Sequence, residues 1–253
     1  MSRRRFYAPP EAFALASRTV MLAADEARHL RDVLRLERGA GVFVFDGRGR
    51  EYRCILEECS RSVVRLEVAE EVEAARPESP LSLRLAVALL KGEKFDLVVQ
   101  KATELGVTEI VPLITKQADV RLRDAGDGER RTARWQRIAL EAAKQSGRAL
   151  IPVIATPRPF NSLIEEDADG EEWRVMFSER EGLGLLEIIG EERKRLSAAT
   201  ALVGPEGGWT NEEITQARAA NWSLVTMGGR ILRAETAAIT ITALLEHLFG
   251  DIK

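Results

Sequence analysis

Hydrophobic and polar positions alternate in short runs along the first 72 residues. "VFVFDG" (42–47), "EYRCILEE" (51–58) and "RSVVRLEV" (61–68) carry the two-residue period of half-buried strands. The breaks between them, "DGRGR" and "CSR", are turn-forming, so the region predicts hairpins in a small antiparallel sheet or barrel. One segment has a different period. In "DEARHLRDVLRLERG" (25–39), Ala27, Leu30 and Leu34 share a helical face, Asp25 is placed to cap the helix and Gly39 to end it. Arg28, Arg31 and Arg35 fall on another face at spacings of three and four, which predicts an outward row of guanidinium groups.

"EAARPESP" (73–80) is polar, contains two prolines and has no periodicity, so a linker is expected there between a domain over 1–72 and a second over 81–253. From residue 81 the rhythm changes. Apolar runs at 81–90, 107–115, 151–155, 173–178, 200–204 and 223–228 read as strands. Helical spacing separates several of them. In 93–106 it runs through Phe95, Val98, Ala102 and Leu105 and closes on Gly106; in 131–147 it runs through Trp135, Ile138 and Ala142. This alternation predicts an α/β domain with a mostly parallel sheet of about six strands, covered on both faces.

Two glycine-bearing loops follow strands of that sheet. "LVGPEGGWTNEEI" (202–214) turns from a strand into a helix whose Thr210 and Glu213 fit a capping box. "MGGRILRAETAA" (227–238) feeds an apolar helix over 235–249 that is suited to burial. Ligands of open α/β sheets bind outside the carboxyl ends of strands, and glycines there let a group approach bare backbone. Neither loop has the spacing of a dinucleotide fingerprint or a P-loop. Arg230, Arg233 and Glu235 would stand at the rim of the core, where charges need partners or a function.

Composition narrows the picture further. The formal net charge is −3, which excludes a general polycation, yet residues 1–53 hold eleven arginines against seven acids and no lysine. Arginine suits forked phosphate contacts, so a polyanion held at the N-terminal end is expected, with Arg3, Arg4 and Arg5 joining the 28/31/35 row. The two cysteines, Cys54 and Cys59, read as structural thiols, and the two histidines have no ligand-spaced neighbours, so no metal site is expected. The basic start is not followed by an apolar signal segment and no run approaches the ~20 residues of a membrane span, so a cytoplasmic protein is expected.

Taken together, the ordered segments "RRRFY" (3–7), "HLRDVLRLERGA" (29–40), "LLKGEKFDLVVQKATELGVTEIVPLIT" (89–115), "RWQRIALEAAKQSGR" (134–148), "LVGPEGGWTNEEI" and "MGGRILRAETAA" make the chain resemble the RsmE-type 16S ribosomal RNA uridine-N3 methyltransferases of the SPOUT superfamily. The resemblance implies a small N-terminal PUA-like β-barrel that grips RNA. It also implies a C-terminal, trefoil-knotted α/β domain that binds S-adenosylmethionine, a homodimer, and 16S ribosomal RNA in the small subunit as substrate. Carried over to this chain, the cofactor cradle is Leu202, Gly204, Pro205, Glu206, Gly207, Met227, Gly228, Arg230, Ile231 and Leu232. Trp209 stands where the family commonly has Phe, Gly229 and Ala234 where it has Pro and Thr, and "ITKQADVRL" (114–122) lacks the family's Thr-Glu-Arg-Ser run.

The implied reaction moves a methyl group from a sulfonium to a uracil nitrogen and needs no metal. Arg233 is the candidate for stabilising charge that develops on the base. Glu206 and Glu235 are candidates for taking the N3 proton. N3 lies on the Watson–Crick edge, so the target must be unpaired or flipped out. Two other readings fit the sequence less closely: a non-catalytic RNA-binding assembly factor, and a nucleotide-dependent oxidoreductase, which lacks its fingerprint glycines.

Overall fold

A computed structural model describes residues 3–60, 63–166, 172–189 and 196–253. Arg61 and Ser62, the start of one expected strand, lie outside the described residues, as do Met1 and Ser2. The chain divides into two compact units, 1–78 with 140–151, and 79–139 with 152–253.

In the first unit, strands β1 (Arg5–Tyr7), β2 (Phe13–Ala14), β3 (Thr19–Met21), β4 (Gly41–Phe45), β5 (Glu51–Cys59) and β6 (Val64–Val72) form one sheet in the order β1-β4-β5-β6-β3-β2. All pairings are antiparallel except β1 with β4. The alternation in the sequence becomes an inner face, with Val42, Val44, Cys54, Leu56 and Leu66 fully buried. Burial pushes the Cys54 thiol up to about 12, which makes it an inert core group.

The expected helix 25–39 is shorter than its pattern. Helix α1 (Ala24–Arg28) starts from Ala23 as its cap, with Asp25 in the first turn, and runs into a wide π turn over His29–Val33. Arg35 then adopts a left-handed conformation, φ 49°. The reason is packing: Leu30 is fully buried and Leu36 meets the same core, which a straight helix through Leu34 would not allow. Arg35 is therefore off the helix, and the expected three-arginine row is reduced to Arg28 and Arg31. Arg31 itself pairs with Asp32 and donates to the Ser60 carbonyl.

The second unit is an eight-stranded sheet, and every pairing in it is parallel. Its strands are β7 (Ser82–Ala88), β8 (Glu109–Ile114), β9 (Val153–Ile154), β10 (Arg158–Pro159), β11 (Trp173–Phe177), β12 (Leu183–Gly184), β13 (Ala198–Val203) and β14 (Ser223–Thr226). The order is β10-β8-β7-β13-β11-β14-β12, with β9 also on β8. Among the described residues the helices are α2 (Lys94–Glu104), α3 (Ala125–Ser146), α4 (Phe160–Ile164), α5 (Leu185–Ile188), α6 (Asn211–Ala219) and α7 (Ala234–Phe249). α3 begins six residues before the apolar spacing that predicts it, through a polar first stretch held by Asp127 with Arg130 and Arg131.

Strands β7, β11 and β13 are nearly continuous apolar runs because helices cover both faces of the sheet. α7 buries Ala238, Ile241 and Leu245, and Phe95 of α2 stacks on Trp135 of α3 with ring centroids 4.3 Å apart. Burying each such large side chain contributes about 1.5–3 kcal/mol. At the opposite pole from the glycine loops, Arg84 of β7 holds Glu166 at 2.8 Å and Glu109 at 3.2 Å, and Arg158 also binds Glu166. Burial pushes the Glu166 carboxyl up, but the hydrogen bonds and charges of Arg84 and Arg158 outweigh it and hold that carboxyl down at about 2.

Candidate functional site

Three neighbouring parallel strands, β13, β11 and β14, end side by side, and a cavity opens at their carboxyl ends. Each strand contributes its last residues and the start of the loop that follows: Val203-Gly204-Pro205, Phe177-Ser178-Glu179 and Val225-Thr226-Met227. The first turn of α7 forms the remaining wall through Ala234 and Ala237.

The first glycine loop is shaped by what stands behind it. A Cβ on Gly204 would lie 2.9 Å from the Trp209 ring, so only a bare Cα fits there. The Trp209 indole N–H donates to the Phe177 carbonyl at 2.8 Å, tying the glycine turn to the end of β11. A phenylalanine could not make that bond. Gly208 N–H closes the turn on the Pro205 carbonyl at 2.9 Å. Thr210 then caps α6 in the expected capping box: its hydroxyl accepts from Glu213 N at 3.2 Å, and Glu213 Oε2 accepts from Thr210 N at 2.9 Å. Glu213 Oε1 also accepts from Lys116 N, and a Cβ on Gly207 would meet Gln117, so the 115–122 segment buttresses this loop from outside the cavity. Arg121 fastens that segment by donating to the Thr115 and Lys116 carbonyls.

The sequence-derived cradle residues divide by position. Gly204, Pro205, Met227, Gly228, Arg230 and Leu232 line the cavity. Leu202 is fully buried in β13, Gly207 faces Gln117, and Ile231 is 85% exposed. Glu206 points elsewhere, to Lys94 Nζ at 2.7 Å. The same ammonium stands 3.8 Å from Glu235 Oε2, an oxygen sealed from solvent and without a hydrogen bond. The hydrogen bond to Glu206 raises the Lys94 pKa. Lys94 thus joins the first residue of α2 to both glycine loops. Arg233 is the exposed N-cap of α7, and its side chain makes no ion pair or hydrogen bond to the described residues.

The N-terminal arginines also separate. Glu51 is fully buried, and Arg3 and Arg5 both pair with it, at 3.1 and 3.0 Å. Arg5 donates further to the Arg148 carbonyl and lies over the Phe45 ring. These two guanidinium groups are structural. Arg4, Arg28 and Arg35 are exposed.

Reasoning from the two glycine loops missed the third strand end, Phe177-Ser178-Glu179, and it missed Lys94. The rule that ligands sit at strand carboxyl ends applies equally to β11, but only the strand order shows that β11 lies between β13 and β14.

A fold of this kind with such a cavity is that of an RNA methyltransferase: the RNA methyltransferase domain family matches residues 77–246, and the RNA methyltransferase PUA domain family matches residues 22–69. The chain is 34% identical to the ribosomal RNA small subunit methyltransferase E of Synechocystis sp. over 97% of its own length and 79% of that relative. Its structure is similar to that of the ribosomal RNA small subunit methyltransferase E from Neisseria gonorrhoeae bound to S-adenosyl methionine, with TM-score 0.86 and 32% identity over 100% of both chains. It is similar too to a putative methyltransferase from Legionella pneumophila in complex with the cofactor SAM, with TM-score 0.86 and 30% identity over 100% of both chains. The chain belongs to the ribosomal RNA small subunit methyltransferase E family. The PUA-like barrel and the parallel α/β domain are the fold this membership entails.

Proposed function

We propose that the chain transfers a methyl group from S-adenosylmethionine to N3 of a uridine in 16S ribosomal RNA. The observation that carries this reading is the cavity at three adjacent parallel strand ends, walled by both glycine loops, in a chain of this family. The residues present fit such a donor. Gly228 has φ 97° and nothing within 4 Å of where a Cβ would stand, which leaves its backbone open to a ligand. Gly204 contributes differently: it lines the cavity with Trp209 packed against its Cα, so no side chain intrudes on the donor's space there. S-adenosylmethionine supplies an electrophilic methyl group on a good leaving group.

In this reading Gly204, Pro205, Met227, Gly228, Arg230 and Leu232 hold the donor directly. Leu202, Glu206, Gly207 and Ile231 support or flank the loops that do so. The chain would cross itself near these loops in a trefoil knot. Arg233, exposed at the start of α7, stabilises negative charge on the uracil oxygens as the N3 proton leaves. Glu206 and Glu235 are engaged by Lys94, so the proton passes to water at the cavity mouth. The barrel grips the RNA, with the exposed Arg4 and Arg28 as cations and Arg31 and Arg35 beside them.

The protein acts in the cytoplasm as a homodimer on the small ribosomal subunit. A groove of the α/β unit lined by Leu185, Leu186, Leu244 and Leu248 shares Thr226, Met227 and Gly228 with the donor cavity, and Leu186 is 74% exposed. Such an apolar face suits a second copy. Transfer of labelled methyl from S-adenosylmethionine to small-subunit RNA tests the function; RNA binding without label transfer would leave only an assembly role.

A further inference from the structure

We propose that Glu179 is the residue by which this cavity distinguishes the charged methyl donor from the spent donor. The proposal rests on the cofactor reading above. Among the described residues lining the cavity, only Glu179 and Arg230 are charged. Glu179 stands two residues past the end of β11, in a turn fixed by the Ser178 hydroxyl, which accepts from the Arg180 and Glu181 N–H groups at 3.3 and 3.5 Å.

Its carboxylate lies against the bare face of Gly208. A Cβ there would be 2.6 Å from Glu179 Oε1, and Gly208 has φ 71°, a conformation that favours glycine. The glycine turn is therefore shaped around this carboxylate as well as around the cavity. Among the described residues its ionic neighbour is Arg180, at 3.9 Å and beyond hydrogen-bond range. The anion keeps its capacity for another cation.

Donor and product differ in one charge. On transfer the S–CH₃ bond breaks and the N3–CH₃ bond forms. The sulfur keeps the electron pair and becomes a neutral thioether, while the N3 proton goes to water. The adenine, ribose and amino-acid tail are unchanged. A carboxylate in the wall attracts the sulfonium before transfer and loses that attraction afterwards. It favours donor binding and product release and does not accelerate the transfer step, because the attraction is already weakening in the transition state as the sulfur loses its positive charge.

The test is calorimetric titration of the full chain with S-adenosylmethionine and with S-adenosylhomocysteine, using wild type, Glu179→Gln and Glu179→Asp. Glu179→Gln is expected to weaken donor binding roughly tenfold while product binding changes less than about twofold. Glu179→Asp retains part of the preference. Added salt shrinks the wild-type preference and leaves that of the Gln variant flat. Equal weakening toward both ligands would mean that Glu179 contacts a group they share, and would overturn the proposal. So would unchanged affinities, or a fall in kcat at unchanged donor affinity, which would make Glu179 a proton acceptor. Wild-type protein that binds neither ligand would instead refute the cofactor reading on which the proposal stands.

Discussion

Replacing Gly204 with alanine is the smallest perturbation that probes how the donor cavity is built. The added methyl would stand 2.9 Å from Trp209 Cε2 and 3.0 Å from its Nε1, well inside normal contact. Gly204 has no positive φ, so backbone strain does not contribute. The ring must give by several tenths of an ångström, but it is 3% exposed, packs on Phe160 and is tied to the Phe177 carbonyl. Overpacking of this kind costs about 1–3 kcal/mol. The lost freedom of the unfolded chain returns about 0.4–1 kcal/mol. A net destabilisation of about 1–2 kcal/mol lowers the melting temperature by roughly 2–8 °C at this chain length. Trp209 also lines the cavity, so S-adenosylmethionine affinity is expected to fall about tenfold, the equivalent of ~1.4 kcal/mol. Thermal melts and calorimetry measure both effects. Gly229→Ala is the control, since nothing lies within 4 Å of its added methyl and its φ is not positive. An unchanged melting temperature and affinity in Gly204→Ala, or equal losses in Gly229→Ala, would show that contact between Gly204 and Trp209 does not shape the cavity.

Other expectations follow from the charged groups. Glu166, held at about 2, is stabilising above the ordinary carboxylate range, and that contribution is lost as pH falls from there toward 2; chemical denaturation of Glu166→Gln should show a flatter acid limb than wild type, and parallel limbs would contradict the assignment. Arg5→Ala leaves Glu51 buried with its ion pairing reduced to Arg3, so urea titration should report a loss of about 3 kcal/mol, whereas an RNA-binding defect at wild-type stability would show that Arg5 is free for RNA. Changing Arg28, Arg31 and Arg35 together to alanine should weaken RNA binding and reduce its salt slope by roughly 0.7–0.9 for each phosphate no longer neutralised; an unaltered slope would mark a solvated face.

The strands were readable because their burial leaves a direct imprint: alternation in β4 to β6, continuous apolar runs in β7, β11 and β13. The capping box at Thr210 was readable for the same local reason. Features set by tertiary contact were not. The π turn at His29–Val33 exists to bring Leu30 and Leu36 to one core, which no local spacing encodes. Arg3 and Arg5 look like a basic arm in sequence, yet a single buried carboxylate 46 residues beyond Arg5 claims both. Lys94 and Glu179 meet the glycine loops only through strand order and the position of α2. Residues 140–151 fall with the N-terminal unit although the helix that carries them begins in the other, through contacts such as Lys144 with Glu26 at 2.6 Å and Arg5 with the Arg148 carbonyl.

The proposed cavity chemistry methylates one ring nitrogen of one RNA. Its most direct test is mass spectrometry of nuclease-digested 16S ribosomal RNA from a strain lacking the gene, before and after incubation of its small subunits with purified protein and S-adenosylmethionine. A single fragment is expected to gain one methyl group, recovered as 3-methyluridine, and Gly228→Val protein is expected to fail to add it. No gain in mass, or a methyl group on a different atom or base, would contradict that chemistry.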